Sequence, residues 1–414
     1  MSDREFDLVL LGATGFVGSL TAAHLVQAAG SARVALAGRS ADRLAALRDG
    51  LGEAARDWAL VEVDARDARG LSALAGRSRV LATTVGPYAR YGRDVVRAAA
   101  ERGAHYADLT GEVSFVAWTR AELDGLARRT GARIVHSCGF DSIPSDLGVL
   151  VTAERAAEDG EGALAEATLV VRALRGGLSG GTIDSLRQEV IAARRDPAVR
   201  RVVRDQDSLL PEGARTGHPP RSLLQRVRER VPVERDPGTG RWLGPFVMAG
   251  FNTRIVQLSA ALGEAAFAPG FRYREVSDLG AGPAGPVRAV GMALGLGALS
   301  AALSWRPTRA LLDRVLPRPG EGPDARQRAR GRFRMEIDAV TTTGARYRTT
   351  VAADRDPGYG GTAIMLGQSA LCLALDEGLP ERAGVLTPAT ALGDALVDRL
   401  RANGFTFEVE RKPR

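Results

Sequence analysis

"FDLVLLGATGFVGSLTAAHLVQA", residues 6–28, decides the fold. It opens as an apolar, β-rich run (6–12) and continues from residue 16 with helical spacing. The two meet at Gly12-Ala13-Thr14-Gly15-Phe16-Val17-Gly18. A strand, a glycine turn and a helix in that order mark a dinucleotide-binding βαβ unit. Gly12 permits the tight turn, Gly15 lets backbone approach a pyrophosphate, and Gly18 lets helix and strand pack closely. The phosphates would rest on the helix N-terminus, where free N–H groups and the helix dipole favour anions.

The alternation continues outward from this unit. Strands are expected at 33–39, 58–64, 79–86, 105–111 and 133–139, with helices at 41–51, 92–103 and 115–130. Residues 1–150 therefore predict an α/β, Rossmann-type doubly wound parallel sheet, its ligand at the carboxyl ends of the strands. Where an NAD site carries an acid, the second strand ends Gly38-Arg39-Ser40, and a guanidinium beside a hydroxyl suits a 2′-phosphate. NADP is thus the expected cofactor; the alternative makes Arg39 a surface residue and Ser40 a helix N-cap. Asp64 would meet the adenine, and Thr83, Thr84, Val85 and Gly86 the nicotinamide side.

Composition narrows the chemistry. The 414 residues carry a net charge of +7, yet of 56 basic residues Lys412 is the only lysine. Schiff-base chemistry and a lysine proton donor are thereby discounted. Short-chain dehydrogenases share this glycine turn but need Tyr-x-x-x-Lys, and position 408 is glutamate. Two isolated cysteines and four histidines without ligand spacing argue against a metal or a disulfide framework. With the acidic, non-apolar start "MSDREFD", they predict a cytoplasmic protein. Basic clusters at 194–204, 221–230 and 326–334 read as solvated helix faces or as docking sites for an acidic partner such as a carrier protein. Sparse aromatics and the lack of a reader motif disfavour nucleic acid.

Beyond the fourth strand stand "TTVGPYARYGRDVVRAAAERGAHYADLTGE" (83–112) and "CGFDSIPSDLGVL" (138–150). Later come "DPGYGGTAIMLGQSALCLA" (356–374) and "GVLTPATALGDALVDRL" (384–400). Together these blocks resemble the saccharopine dehydrogenase-like oxidoreductases, and within them the trans-acting enoyl reductases of actinobacterial lipid and polyketide synthesis. The resemblance runs nearly end to end and is weakest around 205–330. It departs from the amino-acid-making saccharopine reductases at Gly139-Phe140-Asp141-Ser142-Ile143-Pro144, where those carry a Gly-Leu-Asp-Pro-Gly-type loop.

The resemblance implies NADPH-dependent reduction of a carbon–carbon double bond in a lipid or polyketide acyl thioester, held on a carrier protein or polyketide synthase. The alternatives are reduction of an imine or carbonyl in a small amino-acid-like molecule, and a non-catalytic lipid-associated NADP-binding protein. Enoyl reduction needs donors at the enolate oxygen and a proton for the α-carbon. Tyr88 is the first candidate donor and Tyr91 the second, either being alternatively a packed aromatic. Asp141 and Ser142 would orient substrate, or simply cap a helix. His136 reads as a core histidine and Cys138 as a buried wall.

Residues 151–356 are expected to form an α+β substrate domain. It has a strand at 166–176, a helix at 180–195, an irregular excursion over 211–245 and a hairpin at 332–354. Residues 357–414 are expected to send helices at 360–376 and 387–403 back onto the cofactor domain, with a last strand at 405–410. The uncharged run "AVGMALGLGALSAALSW" (289–305) spans about 25 Å as a helix, short of a bilayer core. It reads as a buried or subunit-facing helix in a homodimer, as a wall for an acyl chain touching the membrane surface, or least of all as a span.

Overall fold

The stretch 6–28 folds as β1 (Phe6–Leu11) and α1 (Phe16–Ala28) in the computed structural model of the protein. The structure describes residues 4–176, 180–214, 233–236, 238–263, 266–304, 308 and 322–413. The basic cluster 221–230 and Trp305 lie outside the described residues.

β1 is buried along its whole length: parallel strands pair with both its edges, and core residues cover both its faces, Leu8 and Leu10 on one and Val9 and Leu11 on the other. β2 (Val34–Gly38) and β3 (Ala59–Glu62) extend the sheet on one side. β4 (Ser78–Thr83), β5 (His105–Ala107) and β6 (Arg133–Val135) extend it on the other. The connecting helices are α2 (Ala41–Leu51), α3 (Ala68–Arg77), α4 (Tyr88–Arg102) and α5 (Val113–Thr130). The strand order β6-β5-β4-β1-β2-β3 reverses between β1 and β4, and this reversal opens the ligand crevice of a doubly wound fold.

Several boundaries differ from those expected from the sequence. β5 and β6 end sooner than expected, because the Asp108 carboxylate leaves the ladder to accept from Ser137 N (3.0 Å) and Thr110 N (3.0 Å), and Ser137 has a left-handed φ of 64°. Helix α4 begins earlier, at Tyr88: Glu112 accepts from the Tyr88 and Ala89 N–H groups at 2.8 and 2.9 Å, a cap supplied from another loop.

After α6 (Ile143–Glu158) the chain enters a second sheet. Its first strand is β7 (Leu164–Arg175), followed by helices α7 (Gly180–Arg195) and α8 (Pro197–Arg204). The excursion expected to be irregular holds β8 (Glu234–Arg235) and β9 (Trp242–Pro245). Next come α9 (Ala249–Leu262), β10 (Phe267–Asp278), α10 (Ala284–Ser304) and α11 (Ala325–Ala329). The predicted hairpin is β11 (Arg332–Thr341) with β12 (Arg346–Ala353). Alternate residues on it, among them Phe333, Met335, Ile337, Tyr347 and Val351, are buried, the period-2 signature of a half-covered sheet. Helix α6 covers that face so closely that a Cβ on Gly148 would lie 2.6 Å from Ile337 Cδ1.

The last segment serves both sheets. Helix α12 (Thr362–Leu375) packs on α1, and with its preceding turn is long and apolar enough to cross a membrane. It is instead a core helix, buried over nearly its whole length. β13 (Gly384–Leu386), which the sequence reading missed, adds parallel to β6 and completes the first sheet. After α13 (Pro388–Ala402), β14 (Thr406–Lys412) closes the edge of the second, giving the order β14-β12-β11-β7-β10-β9-β8.

Helix α10 carries the uncharged run. Gly285 sits against Trp242, and Ala289 is buried over Gly244 of β9. The opposite side is open, with Val287 73% and Leu294 69% exposed. Among the described residues it is a surface helix rather than a core helix.

Candidate active site

The glycine turn is fixed by backbone bonds before any ligand arrives. Gly12 N–H donates to Ala37 O at 2.9 Å, and Gly15 N–H to Gly12 O at 3.0 Å. Gly12 has φ +84°, and a Cβ on Gly18 would lie 2.2 Å from Gly12 O, so neither position tolerates a side chain. Ala13 is buried beneath the turn and Thr14 is half-buried. Among the described residues, the Phe16, Val17 and Gly18 N–H groups that open α1 have no acceptor, and no side chain caps the helix. Unsatisfied donors at a helix N-terminus, with glycine in place of any covering side chain, fit a pyrophosphate.

The end of β4 closes on this turn. Thr84 N–H donates to Leu11 O at 3.0 Å and Thr84 Oγ1 to Gly12 O at 3.1 Å. A Cβ on Gly12 would meet Val85 Cγ2 at 2.7 Å. Thr84, Val85 and Gly86 are thus brought onto the glycine turn, the last leading through a cis peptide into Pro87. Phe16 projects the other way and meets Tyr359 edge-on at 5.0 Å, with Arg328 5.5 Å from its ring. These partners lie far along the chain and carry no local signal.

Beside the turn, Arg39 is exposed and makes no hydrogen bond or ion pair among the described residues. Ser40 accepts from Arg43 N at 3.4 Å and so caps α2, the alternative considered for it. Arg43 reaches back to Thr14 O at 3.2 Å, placing a second guanidinium at the same corner. Asp64 is drawn in by Val63 N–H, which donates to Gly38 O at 2.9 Å, and its carboxylate accepts from Arg66 N at 2.9 Å. The exposed Arg39 guanidinium beside the turn matches a 2′-phosphate.

Tyr88 is not placed as a donor to substrate. Its ring is buried, its hydroxyl donates to Thr83 O at 3.2 Å and accepts from Leu109 N at 3.1 Å. Burial, then the nearby Asp108 carboxylate, holds the phenol well above its ordinary range. It ties the end of β4 to the loop after β5. Tyr91 is half-buried and accepts from Arg66 at 3.2 Å.

Ser142 likewise faces inward. It is fully buried, and its hydroxyl donates to Asn252 Oδ1 at 3.2 Å. Asn252 donates to Glu275 Oε2 at 3.0 Å, and Glu275 Oε1 accepts from Ser145 (2.6 Å) and Tyr273 (2.7 Å). Burial pushes the Glu275 carboxyl up to about 7. This network, invisible in the sequence, braces the loop 139–142 from behind.

Asp141, next to it, is different. It is half-buried, has no hydrogen bond or ion pair among the described residues, and a Cβ on Gly111 would lie 3.7 Å from its Oδ2. Desolvation alone pushes its carboxyl up to about 6. Such a carboxyl, in the loop between β6 and α6, can hold and deliver a proton.

His136 is a core residue, its Nδ1 2.8 Å from Asp108 Oδ2 and its Nε2 2.8 Å from Thr119 Oγ1. Cys138 is buried and its thiol pushed up by desolvation. Among the described residues no three His, Cys, Asp or Glu side chains gather as a metal site.

Against known proteins, residues 8–135 match the saccharopine dehydrogenase NADP binding domain. The trans-acting enoyl reductase of Mycobacterium ulcerans is 45% identical over 419 residues, covering 99% of each chain. That of Mycobacterium tuberculosis is 45% identical over 418 residues, again covering 99% of each. Apo saccharopine dehydrogenase (L-Glu forming) from Saccharomyces cerevisiae shares the fold, with a TM-score of 0.53 at 14% identity over 98% of this chain and 99% of that one. The chain is an oxidoreductase with a saccharopine dehydrogenase-type NADP-binding domain, and it belongs to the trans-acting enoyl reductase family.

Proposed function

We propose that the protein uses NADPH to reduce the carbon–carbon double bond of a lipid or polyketide 2-enoyl thioester carried by a separate protein. The observation that carries this reading at the site is Asp141, a carboxyl without a partner among the described residues and pushed by burial up to about 6. NADPH, when bound, supplies the hydride to the β-carbon. Gly12 to Gly18 hold the pyrophosphate through the free N–H groups of α1, Arg39 with Ser40 takes the 2′-phosphate, and Asp64 meets the adenosine. Thr84, Val85 and Gly86 line the nicotinamide side. As charge builds on the thioester oxygen, Asp141 gives its proton to the α-carbon, and a saturated thioester and NADP⁺ result. Tyr88 acts by positioning the strand ends, and the buried Ser142–Asn252–Glu275 network holds the Asp141 loop in place.

In this reading residues 1–150 bind the cofactor, 151–356 shape the substrate side, and 357–414 clamp the cofactor domain. The protein works in the cytoplasm, with the exposed face of α10 against a lipid surface. The test is NADPH oxidation against 2-enoyl thioesters, imines, and ketones or aldehydes. Turnover of enoyl thioesters alone is expected. Turnover of imines alone overturns the reading, and so does tight NADPH binding with no turnover of any. Salt or alkaline washing releases a surface-bound protein from membranes; retention after both would overturn the peripheral placement.

A further inference from the structure

Helices α7 and α8 make a corner that presents the basic cluster 194–204 in a particular way. In α8, Val199, Val202 and Val203 turn inward, while Arg200, Arg201 and Arg204 are exposed. Arg195, the last residue of α7, is exposed beside them. Among the described residues none of these four guanidiniums makes a hydrogen bond or ion pair, whereas arginines as exposed as Arg77 and Arg274 are paired to carboxylates. The one acid within the cluster, Asp196, is turned back to accept from Ala198 N at 2.7 Å. Pro197, Arg200, Arg201, Arg204 and Asp205 line a shallow open groove.

The corner is rigidly held and joined to the site. Buried Arg254 of α9 donates to Val203 O at 2.8 Å and to Asp205 O at 3.1 Å, pinning the end of α8. At its other end α7 meets the site: Ser185 donates to Glu112 at 2.8 Å, the same Glu112 that caps α4, and Glu189 accepts from Ser114 N at 2.9 Å. From Ser185 to Arg195 the helix rises about 15 Å. Such a spacing separates a docking face from a reaction crevice when substrate arrives on a long flexible arm.

We propose that this arginine corner is the docking surface for the acidic face of the carrier protein that delivers the enoyl thioester. The inference rests on the carrier-borne substrate proposed above. Four arginines held at the α7–α8 corner, unpaired among the described residues, attract a carboxylate-rich partner and set its orientation, which acts on encounter and salt dependence more than on chemistry.

The test reverses the four charges together (R195E, R200E, R201E, R204E) and, separately, replaces all four by lysine. The probe is an acidic acyl carrier protein bearing a 2-enoyl phosphopantetheine, with a 2-enoyl N-acetylcysteamine thioester as the small substrate. Charge reversal is expected to raise Kd and KM for the carrier-bound substrate by about 10-fold or more, with kcat nearly unchanged. NADPH binding and turnover of the small thioester stay at wild-type level, and the lysine variant retains carrier binding. Equal Kd in wild type and charge-reversed protein overturns the proposal, as does failure of the wild type to bind the carrier. If no enoyl thioester is reduced, the reaction assignment fails, but the carrier titration still decides the docking surface. Loss of binding to phosphatidylglycerol vesicles with carrier binding intact also overturns it.

Discussion

Two segments of this chain are rich in glycine and open a helix or run through one, and the fold treats them in opposite ways. In "GATGFVG" the glycines are where they are because backbone leaves no room: at Gly18 a Cβ would lie 2.2 Å from a carbonyl oxygen. In α10, a Cβ on Gly291, Gly295 or Gly297 would meet nothing within 4 Å. Glycine in the first segment answers a packing demand and leaves donors free for a ligand. In the second it answers none among the described residues.

That contrast can be broken or sharpened by substitution. The largest effect is expected from Gly18→Ala: overpacking against Gly12 costs about 1–3 kcal/mol, and NADPH binding is lost in a fluorescence titration. Normal NADPH affinity in this variant would remove the constraint from which the contrast starts. Asp141→Asn keeps the shape of the loop and deletes the proton, and should lower kcat about 100-fold with NADPH affinity intact. In the wild type the rate should fall as pH rises through about 6, because a carboxyl raised from its ordinary range donates only while protonated. A flat profile from pH 5 to 8 assigns the proton elsewhere. Arg39→Ala should cut the preference for NADPH over NADH by about 10-fold, the loss of one charge-assisted contact. An unchanged ratio would pass the 2′-phosphate to Arg43. The smallest effect belongs to Gly295→Ala, which should raise stability by about 0.5–1 kcal/mol in thermal unfolding and leave turnover untouched. Destabilisation there would mean that the open helix is packed after all.

The same contrast explains what the sequence disclosed. The cofactor turn was legible because each glycine satisfies a local demand, and the hairpin 332–353 because alternation follows directly from one covered face. Helices α10 and α12 are similarly apolar, yet one is open and the other enclosed, since enclosure depends on what the rest of the chain brings to them. Likewise Ser142 looked available until Asn252, 110 residues on, was seen to engage it. Tyr88 looked like a donor until the carbonyl of Thr83 and the amide of Leu109 were found on its oxygen. Asp141 stood out only once its neighbour proved committed and it did not. Three-residue β13 lies between two helices and is too short to show a period, so only its place beside β6 reveals it.

That small strand bears on how the protein is made. Translation delivers the other strands of the cofactor sheet by residue 135, but the strand that covers the edge of β6 emerges only at Gly384. The whole second sheet, β14 excepted, is synthesised in between. The first half of the nascent chain therefore keeps a short parallel edge unsealed until Gly384–Leu386 has been made, and only then is the sheet of the nucleotide-binding half complete. A chain stopped prematurely would hold every residue of the glycine turn and still lack a finished sheet to support it.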